Sequence, residues 1–185
     1  MFSYVMYEEL KAKHEKFEEN RREVIELSGA IVRLSKKVIT AVHNGKDCSL
    51  EMSEMDGAVE KLEKFDRHVH VPSFSIAYQE VIEAKLYAEY VTSGKVLGFD
   101  ELGVDSSDYI LGLCDFVGEL QRGSVIRISK GDCDFIVRAY DTVTEIYNGL
   151  LTISLRGEVR KKFDSVKYVM IRMEEILLQL KLKNA

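Results

Sequence analysis

A single proline, Pro72, stands in a chain of 185 residues. Proline is the residue least compatible with a helix interior, because it lacks an N–H and its ring crowds the preceding turn. A chain almost without it can form long, unbroken helices, and apolar residues recur here at helical spacing nearly throughout. Val24, Leu27, Ile31, Leu34, Val38 and Val42 make one stripe, with Arg21, Arg22, Arg33, Lys36 and Lys37 on the opposite side. The pattern predicts a first helix over 2–42, whose charge-rich beginning, to residue 20, is either a separate helix or a projecting arm.

Six further segments follow. A second helix is expected over 53–69, capped by Ser53 and striped by Met55, Val59, Leu62, Phe65 and Val69. A third runs over 74–91, opened by Pro72 or Ser73. A short helical turn falls within 96–102, and a longer helix over 108–128 is capped by Ser106 or Ser107. The restart at Gly131-Asp132 leads into a helix reaching residue 155, and the last helix covers 158–182. Gly112 and Gly118 would each cost about 1 kcal/mol inside the fifth segment, which points to close backbone approach there. No hairpin pattern interrupts this order. The expectation is an all-α bundle of six to seven helices in one domain, 1–185. Stripes on the first and last helices wide enough for both a core and a partner predict a helical homo-oligomer.

Composition removes several classes. A net charge of -5 gives no general attraction for nucleic acid, so any such binding must come from a local basic patch. The three cysteines, Cys48, Cys114 and Cys133, form no Cys-x-x-Cys pair and fit a reducing compartment. The first ten residues lack the basic and apolar regions of a signal peptide, and no apolar run reaches the roughly 18–20 residues that span a bilayer. A soluble, cytoplasmic protein with no membrane partner is expected. No Walker loop, dinucleotide-binding glycine pattern, zinc spacing or nucleophile elbow is present.

Two carboxylate pairs stand out. Glu80 and Glu83 are three apart and Asp115 and Glu119 four apart, so each pair shares a helix face. Glu-x-x-Glu is common on solvated helices, and Glu119 could simply pair with Arg122. Four carboxylates among apolar neighbours are harder to explain apart than together. If the two helices face each other, their charges repel unless a cation lies between them. Hard oxygen donors suit Mg²⁺, with Mn²⁺ the alternative, and a carboxylate-held metal can activate water for phosphoryl displacement. The histidines, His14, His43, His68 and His70, occupy none of the positions of a Glu-x-x-His di-iron site. Asp108 is read as structural, in the first turn of its helix. For a nucleic acid the candidate binding residues are Arg33, Lys36, Lys37, Lys85 and Arg122, although each is also an ordinary helix-surface charge. Arg160, Lys161 and Lys162 sit at a helix beginning, against the dipole, which hints at another role.

The segment Asp108-Tyr109-Ile110-Leu111-Gly112-Leu113-Cys114-Asp115-Phe116-Val117-Gly118-Glu119-Leu120 resembles the Asp-Tyr-Leu-Leu-Gly…Asp…Gly-Glu-Leu stretch of the translin superfamily. Within that superfamily, Gln79-Glu80-Val81-Ile82-Glu83-Ala84 is similar to the Gln-Glu-x-x-Glu-Ala segment of its Trax (translin-associated factor X) branch. Ser35-Lys36-Lys37 followed by His43, the Gly131-Asp132 restart and Lys161-Lys162-Phe163-Asp164-Ser165-Val166-Lys167 also fit, and the similarity runs from about residue 28 onward. The resemblance implies a translin-like bundle and a Mg²⁺-dependent endoribonuclease acting on single-stranded or nicked RNA. It puts the acidic residues at Glu80, Glu83, Asp115 and Glu119. Translin itself lacks the glutamate pair and implies the alternative, a non-catalytic scaffold for single-stranded RNA or DNA. The resemblance also implies a homo-oligomer, an octameric shell with inward-facing sites, in a chain shorter than its eukaryotic relatives. The histidine-and-arginine cluster by which translin binds nucleic acid is replaced before Glu80 by Phe74-Ser75-Ile76-Ala77.

Overall fold

The computed structural model describes residues 4–67 and 70–183. Among them are seven helices and no strand: α1 (Tyr4–His43), α2 (Ser49–Leu62), α3 (Val71–Ser93), α4 (Phe99–Leu102), α5 (Ser106–Ile128), α6 (Asp134–Leu151) and α7 (Gly157–Lys183). The central helices are α3 and α5, which pack on each other. α1 covers α3 from one side and carries α2, while α6 and α7 cover α5 from the other and pack together.

The expected stripes are what this packing buries. Val24, Ile31 and Val38 of α1 are fully buried, as are Met55 and Leu62 of α2. Ile82, Leu86 and Tyr87 of α3 share one buried cluster with Phe116 and Leu120 of α5 and with Ile136, Val143, Phe163, Val166 and Met173 of α6 and α7. Each such side chain contributes roughly 1.5–3 kcal/mol when fully buried, so the core outweighs any single polar interaction.

α1 is one continuous helix of 40 residues, about 60 Å long. Its first half is exposed, and Met6, Leu10 and Phe17 stand open on it, Phe17 stacked against His70 at 5.7 Å.

Several boundaries differ from expectation for local reasons. α2 begins at Ser49 rather than Ser53, because Asp47 Oδ1 accepts from the Ser49 N–H and hydroxyl and turns the chain early. It ends at Leu62, and in the link that follows Arg67 pairs with Asp105 and Asp108 at the start of α5. The expected stripe residue Val69 lies outside the described residues, as does His68. α5 is capped by Asp105, which accepts from the N–H groups of Ser107 and Asp108, and not by Ser106 or Ser107. α6 stops at Leu151 in a tight reversal that leads to Gly157 at φ +60. Asp108 is buried and accepts from Ser75 and Arg67, a latch between the beginnings of α3 and α5.

The two central glycines part company. A Cβ on Gly112 would fall 2.6 Å from Ile82 Cβ and 2.9 Å from the Gln79 carbonyl, so this glycine is what lets α5 press on α3. Gly118 has nothing within 4 Å of a Cβ and makes no close approach among the described residues.

Candidate functional site

One turn beyond Gly112, α5 presents Asp115 and Glu119 to Glu80 and Glu83 of α3. The four carboxylates line one cavity of about 460 Å³, joined by Lys36, Ile39 and Thr40 of α1 and by Arg122 of α5. The two pairs, each on one helix face by spacing, do face each other.

Their proximity is visible in their proton affinities. Burial, then the charges of Asp115, Glu119 and Glu80, push the Glu83 carboxyl up to about 8. Burial also raises Glu80, with Lys36 pulling back and Asp115 pushing up. Asp115 is raised by burial against the opposing pull of Lys162. Glu119 goes the other way: burial would raise it, but His43 and Arg122 hold it below the ordinary range. The cavity is therefore an acidic site whose repulsion is relieved at one end by protein cations and left standing at Glu83.

Two supports come from distant parts of the chain. Lys162 of α7 donates to Asp115 Oδ2 at 2.5 Å and to Gln79 Oε1 at 3.0 Å. His43, the last residue of α1, places Nε2 2.5 Å from Glu119 Oε2, and Tyr87 OH lies 2.8 Å from its Nδ1. A carboxylate can only accept, so Nε2 carries the proton; in the neutral ring the bare Nδ1 then accepts from the Tyr87 hydroxyl. The Tyr87 hydroxyl sits where a side chain on Gly123 would stand, so that glycine leaves room for the relay. His43 is thus inside the site, although its spacing from the carboxylates says nothing of the kind. Lys162 is hinted at in the sequence by a basic cluster set against a helix dipole and by the family-like segment from Lys161 to Lys167, but neither places it beside Asp115.

The other expected binding residues divide. Lys36 and Arg122 line the cavity, and Arg122 pairs with Glu119 at 3.3 Å. Arg33 and Lys37 are exposed on α1 and do not line it. Lys85 is not brought there: it pairs with Asp56 of α2 at 2.7 Å, because its position on α3 faces α2. Cys114 next to Asp115 is a packing residue, buried, with its thiol pushed up to about 12 by burial.

Among the described residues no three His, Cys, Asp or Glu side chains are already gathered as a metal cluster. Asp115 is paired with Lys162, and Glu119 with His43 and Arg122. The donor chemistry itself fits a hard divalent cation, being all oxygen with no thiol among the cavity residues. Glu80 and Glu83 carry no side-chain hydrogen bond or ion pair among the described residues, and burial together with the neighbouring carboxylates keeps the proton affinity of Glu83 high.

Residues 19–184 match the Translin family. Translin-associated protein X of Pongo abelii is 23% identical over 226 residues, covering 96% of this chain and 77% of that protein. Translin of Homo sapiens is 27% identical over 82 residues, or 44% of this chain and 36% of that protein. Among solved structures, apo-NeC3PO superposes with a TM-score of 0.87 at 25% identity, covering 97% of this chain and 98% of that one. An AfC3PO complex with duplex RNA superposes with a TM-score of 0.86 at 22% identity, covering 96% and 97%.

Proposed function

The chain belongs to the translin family, and on that premise we propose that it is a divalent-metal-dependent endoribonuclease cutting single-stranded or nicked RNA. Its support is the meeting of Glu80 and Glu83 with Asp115 and Glu119 across one cavity, with Glu83 pushed up to about 8. Glu80, Glu83 and Asp115 would hold Mg²⁺ or Mn²⁺, with Glu119 in the same acidic group. Bound there, the cation supplies an activated water and positive charge for phosphodiester hydrolysis. Lys36 and Arg122, at the cavity wall, orient the phosphate. His43 and Tyr87 keep Glu119 in place, and Lys162 holds Asp115 on the α7 side. RNA as substrate agrees with the Trax-like pairing of Glu80 with Glu83 and with the duplex RNA carried by the AfC3PO neighbour.

The setting we propose is cytoplasmic. The described helices include none long and apolar enough to cross a membrane, and the three cysteines are free. The open apolar residues Met6 and Leu10 of α1 and Leu178 and Leu182 of α7 support assembly into a homo-oligomer, an octamer in this reading. A second reading is the translin-like scaffold that binds single-stranded RNA or DNA without cutting it. The engagement of Asp115 by Lys162 favours it, since a carboxylate neutralised by lysine is less available to a metal.

Incubating the purified protein with end-labelled single-stranded RNA, in Mg²⁺ and then in chelator, separates the two. Internal cleavage in Mg²⁺ that chelator abolishes supports the nuclease. RNA bound in salt-dependent fashion and left intact in both supports the scaffold.

A further inference from the structure

Charge on α1 is segregated. Its first half mixes both signs, with pairs such as Lys16 to Glu19 at 3.0 Å. Between Glu26 and Asp47 there is no acidic residue at all, while Arg33, Lys36, Lys37 and Lys46 fall within that interval. An ordinary solvated helix face would place carboxylates three or four positions from its lysines, and none stands there.

The structure adds a groove. Beside the acidic cavity lies a second one of about 480 Å³, lined by Lys36, Lys37, Thr40, Asn44 and Lys46, with Glu51 as its single acid. Lys36 and Thr40 line both cavities, so the groove adjoins the acidic cavity along α1. None of its three lysines has an ion pair among the described residues, whereas Lys85, Lys95 and Lys162 all do. Lys36, Lys37 and Lys46 are exposed. In an acidic chain, three unpaired ammonium groups concentrated along one groove attract a polyanion, and Thr40 and Asn44 add a hydroxyl and a carboxamide that can bond phosphate oxygens.

We propose that this groove is the track for the sugar-phosphate backbone of a single-stranded RNA whose scissile phosphate lies in the acidic cavity. The assignment of the cavity rests on the nuclease reading above; that of the groove does not need cleavage to occur. Lys36 stands at the junction, and Lys37 and Lys46 carry the strand away from it over the link between α1 and α2. Their role is electrostatic and indifferent to base identity.

The test is the salt dependence of binding. A labelled single-stranded oligoribonucleotide is titrated with the full chain in chelator over a series of KCl concentrations. Comparison is with the double variant Lys37→Gln, Lys46→Gln and with Lys130→Gln, an exposed lysine after α5 and outside the groove. Removing one lysine–phosphate interaction should lower the slope of log affinity against log salt by about 0.7, so the double variant should drop by about 1.4 and bind several-fold more weakly. Lys130→Gln should leave the slope as it is. An unchanged slope in the double variant, or an equal drop per lysine in Lys130→Gln, overturns the track. A lowered slope in a protein that never cleaves RNA removes the nuclease reading and leaves the track standing. Mg²⁺-dependent cleavage with an unchanged slope does the reverse.

Discussion

His43 Nε2 and Glu119 Oε2 lie 2.5 Å apart, joining the last residue of α1 to the acidic face of α5. The pair is shielded, with the histidine side chain 5% and the glutamate 16% exposed. Removing the imidazole would leave a carboxylate in a confined acidic site with only Arg122 beside it. His43→Ala is therefore expected to destabilise the protein by about 1–3 kcal/mol, the range for a buried polar group deprived of its partner. His43→Gln, which can still donate, should recover part of that stability. Thermal unfolding of the three proteins reads the order; equal midpoints would mean the pair contributes nothing.

Gly112 and Gly118 make opposite predictions on the same helix. A methyl group on Gly112 meets Ile82 Cβ and the Gln79 carbonyl, neither the tip of a flexible chain, so Gly112→Ala should cost about 1–3 kcal/mol by overpacking. Gly118→Ala meets nothing and should gain up to about 1 kcal/mol from helix propensity. Denaturant unfolding of both variants measures the pair, and destabilisation at Gly118 would reveal an approach made only in an assembly.

Much of this is legible in the chain, and the limit has a physical cause. Helical periodicity places the residues of one helix relative to each other, so Glu80 with Glu83 and Asp115 with Glu119 can be read as pairs. Gly112 signals that the helices approach. The partners that hold the site are 76 residues apart for His43 and Glu119, 44 for His43 and Tyr87, and 47 for Lys162 and Asp115. No spacing rule connects such positions; packing alone brings them together. Lys85 shows the converse, since nearness to Glu83 in sequence leaves it on a different face, against Asp56. Helix starts expected at serines fall instead where an upstream aspartate, Asp47 or Asp105, accepts the first N–H groups, because periodicity does not rank a carboxylate against a nearby hydroxyl.

Glu83 gives the metal-free protein a distinct pH dependence. Its folded value, about 8, lies above the 4.5 of an unperturbed glutamate, so between these the folded state binds a proton that the unfolded state has released. Stability should then fall as pH rises from about 5 to about 8, by on the order of 3 kcal/mol. Glu80 and Asp115, also raised, act in the same direction. Glu119, lowered by His43 and Arg122, acts in the opposite one, losing its contribution as pH falls. Unfolding midpoints in chelator should decline across this window in wild type and decline less steeply in Glu83→Gln, where Glu80 and Asp115 still contribute.

Lys162 offers a further check, because its ammonium and a divalent cation compete for Asp115. Lys162→Met should be less stable than wild type in chelator and should gain more from Mg²⁺. By mass action the added stability grows with ligand over its dissociation constant, so the variant's midpoint should rise further at every Mg²⁺ concentration. Identical Mg²⁺-induced shifts in the two proteins would mean that Asp115 takes no part in metal binding.

The central claim stands on Glu83, and the most direct measurement is the rate of cleavage of a labelled single-stranded RNA in Mg²⁺ by wild type and by Glu83→Gln, with RNA binding measured alongside. The amide keeps the size of the side chain and removes its ability to ionise onto a divalent cation. Cleavage by wild type that falls to the chelator background in Glu83→Gln, with binding retained, is the predicted result. Equal cleavage by the two proteins would contradict it.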